Sequence, residues 1–197
     1  WLQSTTMLTV RYIHSLVANN GYLYVVGGCI VKDFLNVCTN SATTTEYAKV
    51  NADGTLSAWM STAAPTTPRR NTYATIYNGY VYLIGDVGLT NCVQYAPIYA
   101  NGSLGAWKDT STFTTTRLYP ALASYNGYLY ITGGCPNTSL NCGGSELTDT
   151  QYAKIDQAGT IAPYVLTADF DTAGNERAGA TTVATNGYIY MFGGKTT

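Results

Sequence analysis

A nine-residue motif occurs four times in this chain of 197 residues, and that repetition constrains the fold more than any other feature. Asn20-Gly21-Tyr22-Leu23-Tyr24-Val25-Val26-Gly27-Gly28 returns as residues 78–86 (NGYVYLIGD), 126–134 (NGYLYITGG) and 186–194 (NGYIYMFGG). Asn-Gly is the strongest short hairpin signal, because both residues tolerate positive φ. The β-branched and aromatic run behind it suits a pleated, buried strand. Gly-Gly then closes the strand where a side chain would not fit or the backbone must turn.

Measured from each Asn-Gly, other residues fall into register. Arg11, Arg69, Arg117 and Arg177 each stand nine positions before the Asn. Trp1, Trp59 and Trp107 stand ten positions before the first three of these arginines, and Tyr164 takes the Trp role in the last repeat. Tyr47, Tyr95 and Tyr152 open matching segments, EYAKVNADGTLSAW, QYAPIYANGSLGAW and QYAKIDQAGTIAPY. Each unit therefore parses into four strands. The first follows the Arg (residues 12–18, 72–77, 119–125 and 180–185), the second is the Tyr-rich run, the third holds the YAK or YAP segment, and the fourth carries the Trp. Asn-Gly joins strands one and two, while Asp53-Gly54, Asn101-Gly102 and Ala158-Gly159 join strands three and four, all as antiparallel hairpins. No segment holds a 3.6-residue apolar period for three turns, so no helix is expected.

Four-stranded antiparallel units recurring at about 50 residues match the period of kelch repeats, which are blades of a β-propeller. Tandem Gly-Gly after a Tyr-rich strand, with Tyr and Trp further on, resembles the kelch-repeat family. The resemblance covers essentially the whole chain, and extends more loosely to Gly/Thr/Tyr-rich secreted bacterial kelch-like proteins. Three departures stand out: a longer Tyr-to-Trp interval, Gly85-Asp86 in place of Gly-Gly, and Tyr164 in place of Trp. The resemblance implies an all-β fold, a β-propeller with three complete blades at residues 11–68, 69–116 and 117–176. Residues 1–10 align with the fourth strand of a preceding blade, and residues 177–197 with the first two strands of a further one. A segment of a larger propeller or array fits this pattern better than a closed ring of four. A lone blade buries its faces only against neighbours, so the units are expected to fold together.

Charged residues make up 11% of the chain and the net charge is -1, with no basic or acidic run. Nucleic-acid binding, which needs clustered Lys and Arg, is therefore not expected. No apolar stretch reaches the ~18 residues of a membrane-spanning helix. The chain opens at Trp1, as a processed chain or a segment of a longer one would. Cys29 and Cys135 each follow a Gly-Gly, and each has a second cysteine shortly after, at Cys38 and Cys142. The same placement in two repeats suggests two local disulfides, hence an oxidising compartment and an extracellular or cell-surface location. Zinc is the rival reading of these cysteines, weakened by the absence of CxxC and by His14 being the only histidine. Cys92 reads as a small buried hydrophobe rather than a reactive thiol.

A residue present in every blade is expected to be structural, while a site should rest on residues that differ between blades. On that ground the four Arg read as strand-entrance residues bonding loop carbonyls or stacking on aromatics, rather than as an anion-catching ring. The paired tyrosines read as blade packing rather than a sugar platform. His14 reads as a hydrogen-bonded core or channel residue, because it has no evident catalytic partner. No paired-carboxylate motif, nucleophile elbow or phosphate loop is present, and no metal or cofactor is expected.

The loops after strand two do differ between units. The first runs over residues 29–45, the second is short, and the third covers residues 135–150. Variable loops on a rigid repeat are where binding sits. The binding candidates are Lys32, Asp33 and Phe34 in the first loop, and Asn137, Glu146 and Asp149 in the third. Asn101-Gly102-Ser103 and Asn137-Thr138-Ser139 match the N-glycosylation pattern. Three roles stay open. One is a non-enzymatic binding or adhesion module for protein or polysaccharide. The second is a fibre or oligomer subunit completing its incomplete terminal blade between chains. The third is the scaffold of a glycan-active enzyme whose catalytic residues lie partly outside the segment.

Overall fold

The computed structural model describes residues 4–85, 91–136, 142, 146–167, 169–170 and 177–195. All regular structure among them is β, and no helix occurs. The first unit comprises β1 (Ser15–Asn19), β2 (Tyr22–Val26), β5 (Thr45–Lys49) and β6 (Met60–Thr62), paired in that order into one antiparallel sheet. Between β2 and β5 lies a hairpin of β3 (Cys29–Lys32) and β4 (Cys38–Ser41). The second sheet comprises β7 (Tyr73–Tyr77), β8 (Tyr80–Ile84), β9 (Val93–Pro97) and β10 (Lys108–Asp109). In the third unit β11 (Arg117–Leu118) precedes β12 (Ala121–Tyr125) and β13 (Tyr128–Thr132), and β14 (Cys135–Pro136) precedes β15 (Thr150–Lys154) and β16 (Val165–Leu166). Strands β12, β13, β15 and β16 form its sheet, while β11 pairs with β14. A last hairpin joins β17 (Ala178–Thr185) to β18 (Tyr188–Lys195).

The register repeats from sheet to sheet. Tyr24 faces Tyr47, Tyr82 faces Tyr95 and Tyr130 faces Tyr152, each pair stacked with ring centroids 6.2 Å apart. Where the sequence expects the first strands to begin just after the Arg, they begin later in three units. The residue two places after the Arg has positive φ: Ile13 at 51°, Asn71 at 50° and Tyr119 at 53°. That left-handed step interrupts the extended chain before the strand starts. The indoles also sit one place before the fourth strand rather than in it, since Trp59 precedes β6 and Trp107 precedes β10.

Alternation along β8 sends Tyr82 and Ile84 to the following sheet and Val81 and Leu83 to the preceding one. Tyr24 and Val26 pack with Val81, Leu83, Leu104 and Trp107 of the second unit. Tyr82 and Ile84 pack with Leu129, Ile131 and Ile161 of the third. Val25, Ala48 and Trp59 form the opposite layer of the first sheet, with Met7 against them. The core is therefore a series of layers between sheets, as repeats that bury their faces on one another require.

The same polar contacts stitch each junction. The Trp107 indole N–H donates to the Ala63 carbonyl at 2.8 Å, and the Trp59 indole N–H donates to the Thr5 carbonyl at 3.3 Å. Residues 4–10 hold no strand, yet Thr5 serves Trp59 as Ala63 serves Trp107. The amide of Gly28 donates to the Arg69 carbonyl at 2.8 Å, and that of Gly134 to the Arg177 carbonyl at 2.7 Å. This crossing explains the glycines. A Cβ on Gly27 would meet the Arg69 carbonyl oxygen at 2.8 Å, and one on Gly133 the Arg177 carbonyl oxygen at 2.5 Å. The first strands β1, β7, β12 and β17 pack side by side in that order, joined by hydroxyl bonds from Ser15 to the Thr72 carbonyl, Ser124 to the Ile76 carbonyl and Thr182 to the Leu122 carbonyl.

Candidate functional site

The arginines in register are built into the scaffold. In each unit the Nη1 of the Arg donates to the carbonyl of the glycine sixteen residues on: Arg11 to Gly27 (2.9 Å), Arg69 to Gly85 (3.1 Å), Arg117 to Gly133 (2.9 Å) and Arg177 to Gly193 (3.0 Å). Arg11, Arg69 and Arg117 are buried. Buried guanidinium needs a counter-charge or a full set of acceptors. Arg11 finds Glu46, with Nη2 to Oε1 at 2.5 Å, and the Thr44 carbonyl. Arg117 finds both oxygens of Asp149, at 2.9 and 2.8 Å. Asp149, a binding candidate from sequence, is thus engaged in this ion pair and also accepts from Gln151. The third-strand polar residue completes each knot. Glu46 accepts from the Leu8 amide and Gln151 from the Thr114 amide, while Gln94 bonds Thr66 and Asp109.

The first loop is a built element. Disulfide Cys29–Cys38 joins β3 to β4, with Cα atoms 5.8 Å apart. Cys29 is buried under the sheet and anchors the hairpin to it. At the tip, the Asp33 carboxylate accepts the amides of Leu35 (2.9 Å) and Val37 (2.8 Å), and Asn36 has φ of 61°. Asp33 therefore shapes an Asx turn, the role that short acidic side chains have in tight turns. Lys32 lies with its ammonium 3.7 Å from the centroid of the Tyr12 ring, a cation–π contact that holds the stem. What the tip presents outward is apolar. Phe34 is 91% exposed, and Leu35, Val37 and Val31 are exposed with it.

The third loop is tied by Cys135–Cys142, with Cα atoms 5.3 Å apart. Asn137 lies outside the described residues, as does Ser139 of its glycosylation pattern. Glu146 is buried, and neither of its carboxylate oxygens has a hydrogen-bond partner among the described residues. Lys32, Asp33 and Phe34 thus sit together on one hairpin, whereas Glu146 and Asp149 belong to another unit. Leu35, Val37 and Val31 are the surface residues that the sequence did not single out. Their signal was present in the run Cys29-Ile30-Val31-Lys32-Asp33-Phe34-Leu35-Asn36-Val37-Cys38. There, five apolar residues share a cysteine-closed loop too short to bury them.

His14 lines a cavity of about 470 Å³ between the first strands, with Ser15, Thr72, Tyr73, Thr181 and Thr182. Burial, reinforced by the nearby Arg11 guanidinium, holds its pKa below the ordinary histidine value, so the imidazole is neutral at pH 7. The described lining offers hydroxyls and backbone but no carboxylate to act with it. Cys92 is partly buried and outside both disulfides. Among the described residues no group of three or more His, Cys, Asp or Glu is placed to hold a metal ion, and no helix is long and apolar enough to cross a membrane. No protein-family model matches the chain, and no curated protein matches it. Two disulfides on an all-β scaffold are typical of extracellular proteins.

Proposed function

We propose that the chain is part of a kelch-like β-propeller and acts as an extracellular, non-enzymatic binding module whose contact element is the Cys29–Cys38 hairpin. Blades at 11–68, 69–116 and 117–176 would be the repeating units, with residues 4–8 closing the face of the first. Support for the propeller is the recurrence of one set of junction contacts and the convergence of four first strands on one cavity. The observation that carries the binding role is the exposed apolar tip of Phe34, Leu35 and Val37 on a hairpin fixed by a disulfide and an Asx turn. Folding alone gives no reason to hold three large apolar side chains in water, and contiguous exposed apolar groups mark interaction sites. Pre-organisation lowers the entropy lost on docking. An aliphatic tip with a single phenyl ring and its one carboxylate turned inward suits an apolar groove on a protein better than the hydroxyls of a polysaccharide.

The test is a peptide library displayed on phage, selected against the folded disulfide-bonded chain, alongside an array of immobilised glycans. Peptides rich in apolar residues should be recovered. Their affinity should fall about tenfold or more on Phe34→Ser, as central interface anchors do. Glycan binding that survives Phe34→Ser, or peptide binding that ignores it, would overturn the assignment.

A further inference from the structure

Successive units meet at three junctions inside the chain, and at two of them a tyrosine of one unit reaches the Asn-Gly turn of the next. Tyr77 and Tyr125 are these residues, each the last of a first strand. The Gly187 amide donates to the Tyr125 hydroxyl at 3.0 Å, and the Tyr77 hydroxyl stands 3.9 Å from a Cβ built on Gly127. The first unit has Asn19 in that register, and a Cβ on Gly79 of the second unit's turn meets nothing within 4 Å. In its other contacts this junction matches the next one. A Cβ on Gly102 would collide with the Tyr22 ring, and one on Gly159 with the Tyr80 ring. The missing phenol leaves a cavity of about 140 Å³, lined by Asn19 and Tyr22 of the first unit and by Gly79, Ile98 and Tyr99 of the second. Two more residues of the second unit break the repeat beside it. Tyr99 stands where the other units have Asn51 and Asp156, and Gly105 where they have Ser57 and Ala162. A Cβ on Gly105 would stand 2.5 Å from the Tyr99 hydroxyl, so this glycine is what lets the ring lie where it does. Tyr99 is 54% exposed.

We propose that this junction cavity is a binding site for a small phenol. The occupant is specified by the chain's other junctions, where a phenol carried by the chain itself fills the equivalent place. A cavity of about 150 Å³ holds one benzene ring, so this one takes a single ring and little more. The ligand hydroxyl would accept the Gly79 amide, as the Tyr125 hydroxyl accepts that of Gly187. Its own proton would go to the side-chain carbonyl of Asn19, and its ring would lie against Ile98, Tyr22 and Tyr99. Asn19, Tyr99 and Gly105 are each peculiar to this junction, which is the pattern expected of a site rather than of the scaffold. The cavity shares no residue with the Cys29–Cys38 hairpin, so the two sites stand or fall separately.

Titration of p-cresol into the isotope-labelled, disulfide-bonded chain, followed by NMR, tests this. Saturable shifts should centre on the amides of Asn19, Gly79 and Tyr99, with a Kd of about 1 mM or below, which is within reach of a ligand of this size. Toluene lacks the hydroxyl and cyclohexanol lacks the aromatic ring. Each should bind about threefold to tenfold more weakly, the worth of one hydrogen bond or one aromatic contact. Asn19→Tyr supplies the ring that the other units carry, so it should abolish p-cresol binding while keeping the native circular dichroism. Tyr99→Asp copies Asp156 at an exposed position and should weaken binding about threefold or more. Shifts that do not saturate, toluene bound as tightly as p-cresol, or p-cresol bound undiminished by either variant would each overturn the proposal.

Discussion

The arginine of each unit shows how a repeated residue can be costly and structural at once. Burying a guanidinium is unfavourable unless its donors are filled, and removing one member of a buried pair strands the other. Arg11→Met should therefore destabilise the protein by about 3–5 kcal/mol, because Glu46 would be left as a carboxylate in the core. Adding Glu46→Gln should recover a large part of that loss, since Gln94 and Gln151 already occupy the equivalent place in the other units. Urea unfolding of the single and double variants decides it, and equal losses in both would refute the account. The Arg11→Lys variant should also be destabilised, because one ammonium cannot reach the Gly27 carbonyl, the Thr44 carbonyl and Glu46 in the fixed fork of guanidinium. That these residues bond loop carbonyls could be read from their register. Their carboxylate partners could not, because Glu46 sits within a third strand and Asp149 just before one.

At the level of elements, the β1–β2 hairpin and its counterparts follow from Asn-Gly and alternation, which are local signals. The β3–β4 hairpin was hidden, because its two strands are short, their pairing is irregular between Cys29 and Lys32, and its apolar residues face water instead of a core. Which loop residues meet solvent depends on tertiary placement, and for that reason Asp33 was legible as a loop residue but not as the one that forms the turn. The disulfide across this element should matter more to binding than to the fold. Replacing Cys29 and Cys38 together by Ser should lower stability by about 2–3 kcal/mol. It should weaken capture of the selected peptides further by freeing the tip. Binding and thermal unfolding of the double variant check this, and unchanged peptide affinity would sink the claim that the hairpin is pre-organised for docking.

The whole molecule carries its stability in layers of buried tyrosine, and that gives it a characteristic response to alkali. Burial pushes the Tyr24 and Tyr73 phenols up to about 12, and raises those of Tyr82 and Tyr164 further. In the unfolded chain the same groups ionise near 10. Above that value the unfolded state has released protons that the folded state retains, so stability falls as pH rises. The contribution is intact below about pH 10 and is lost progressively between about pH 10 and 12. Denaturant midpoints measured across this window, with ultraviolet absorbance following phenolate formation, should show the midpoint falling before the buried tyrosines titrate. A midpoint independent of pH there would show that these rings are not held in the core as described. The layering itself was legible, since four near-copies of one motif admit little else. The seating of Tyr22 over Gly102 and of Tyr80 over Gly159 was not, because it depends on how neighbouring units pack.

The loops that leave Gly28 and Gly134 also return to them: the Ala42 amide donates to the Gly28 carbonyl at 2.8 Å, and the Leu147 amide to the Gly134 carbonyl at 2.7 Å. Each excursion is thus a closed detour, entered and left through a single peptide. A lineage can lengthen, shorten or rewrite such a detour without moving a sheet, and a protein engineer can splice in a foreign segment at the same two doors.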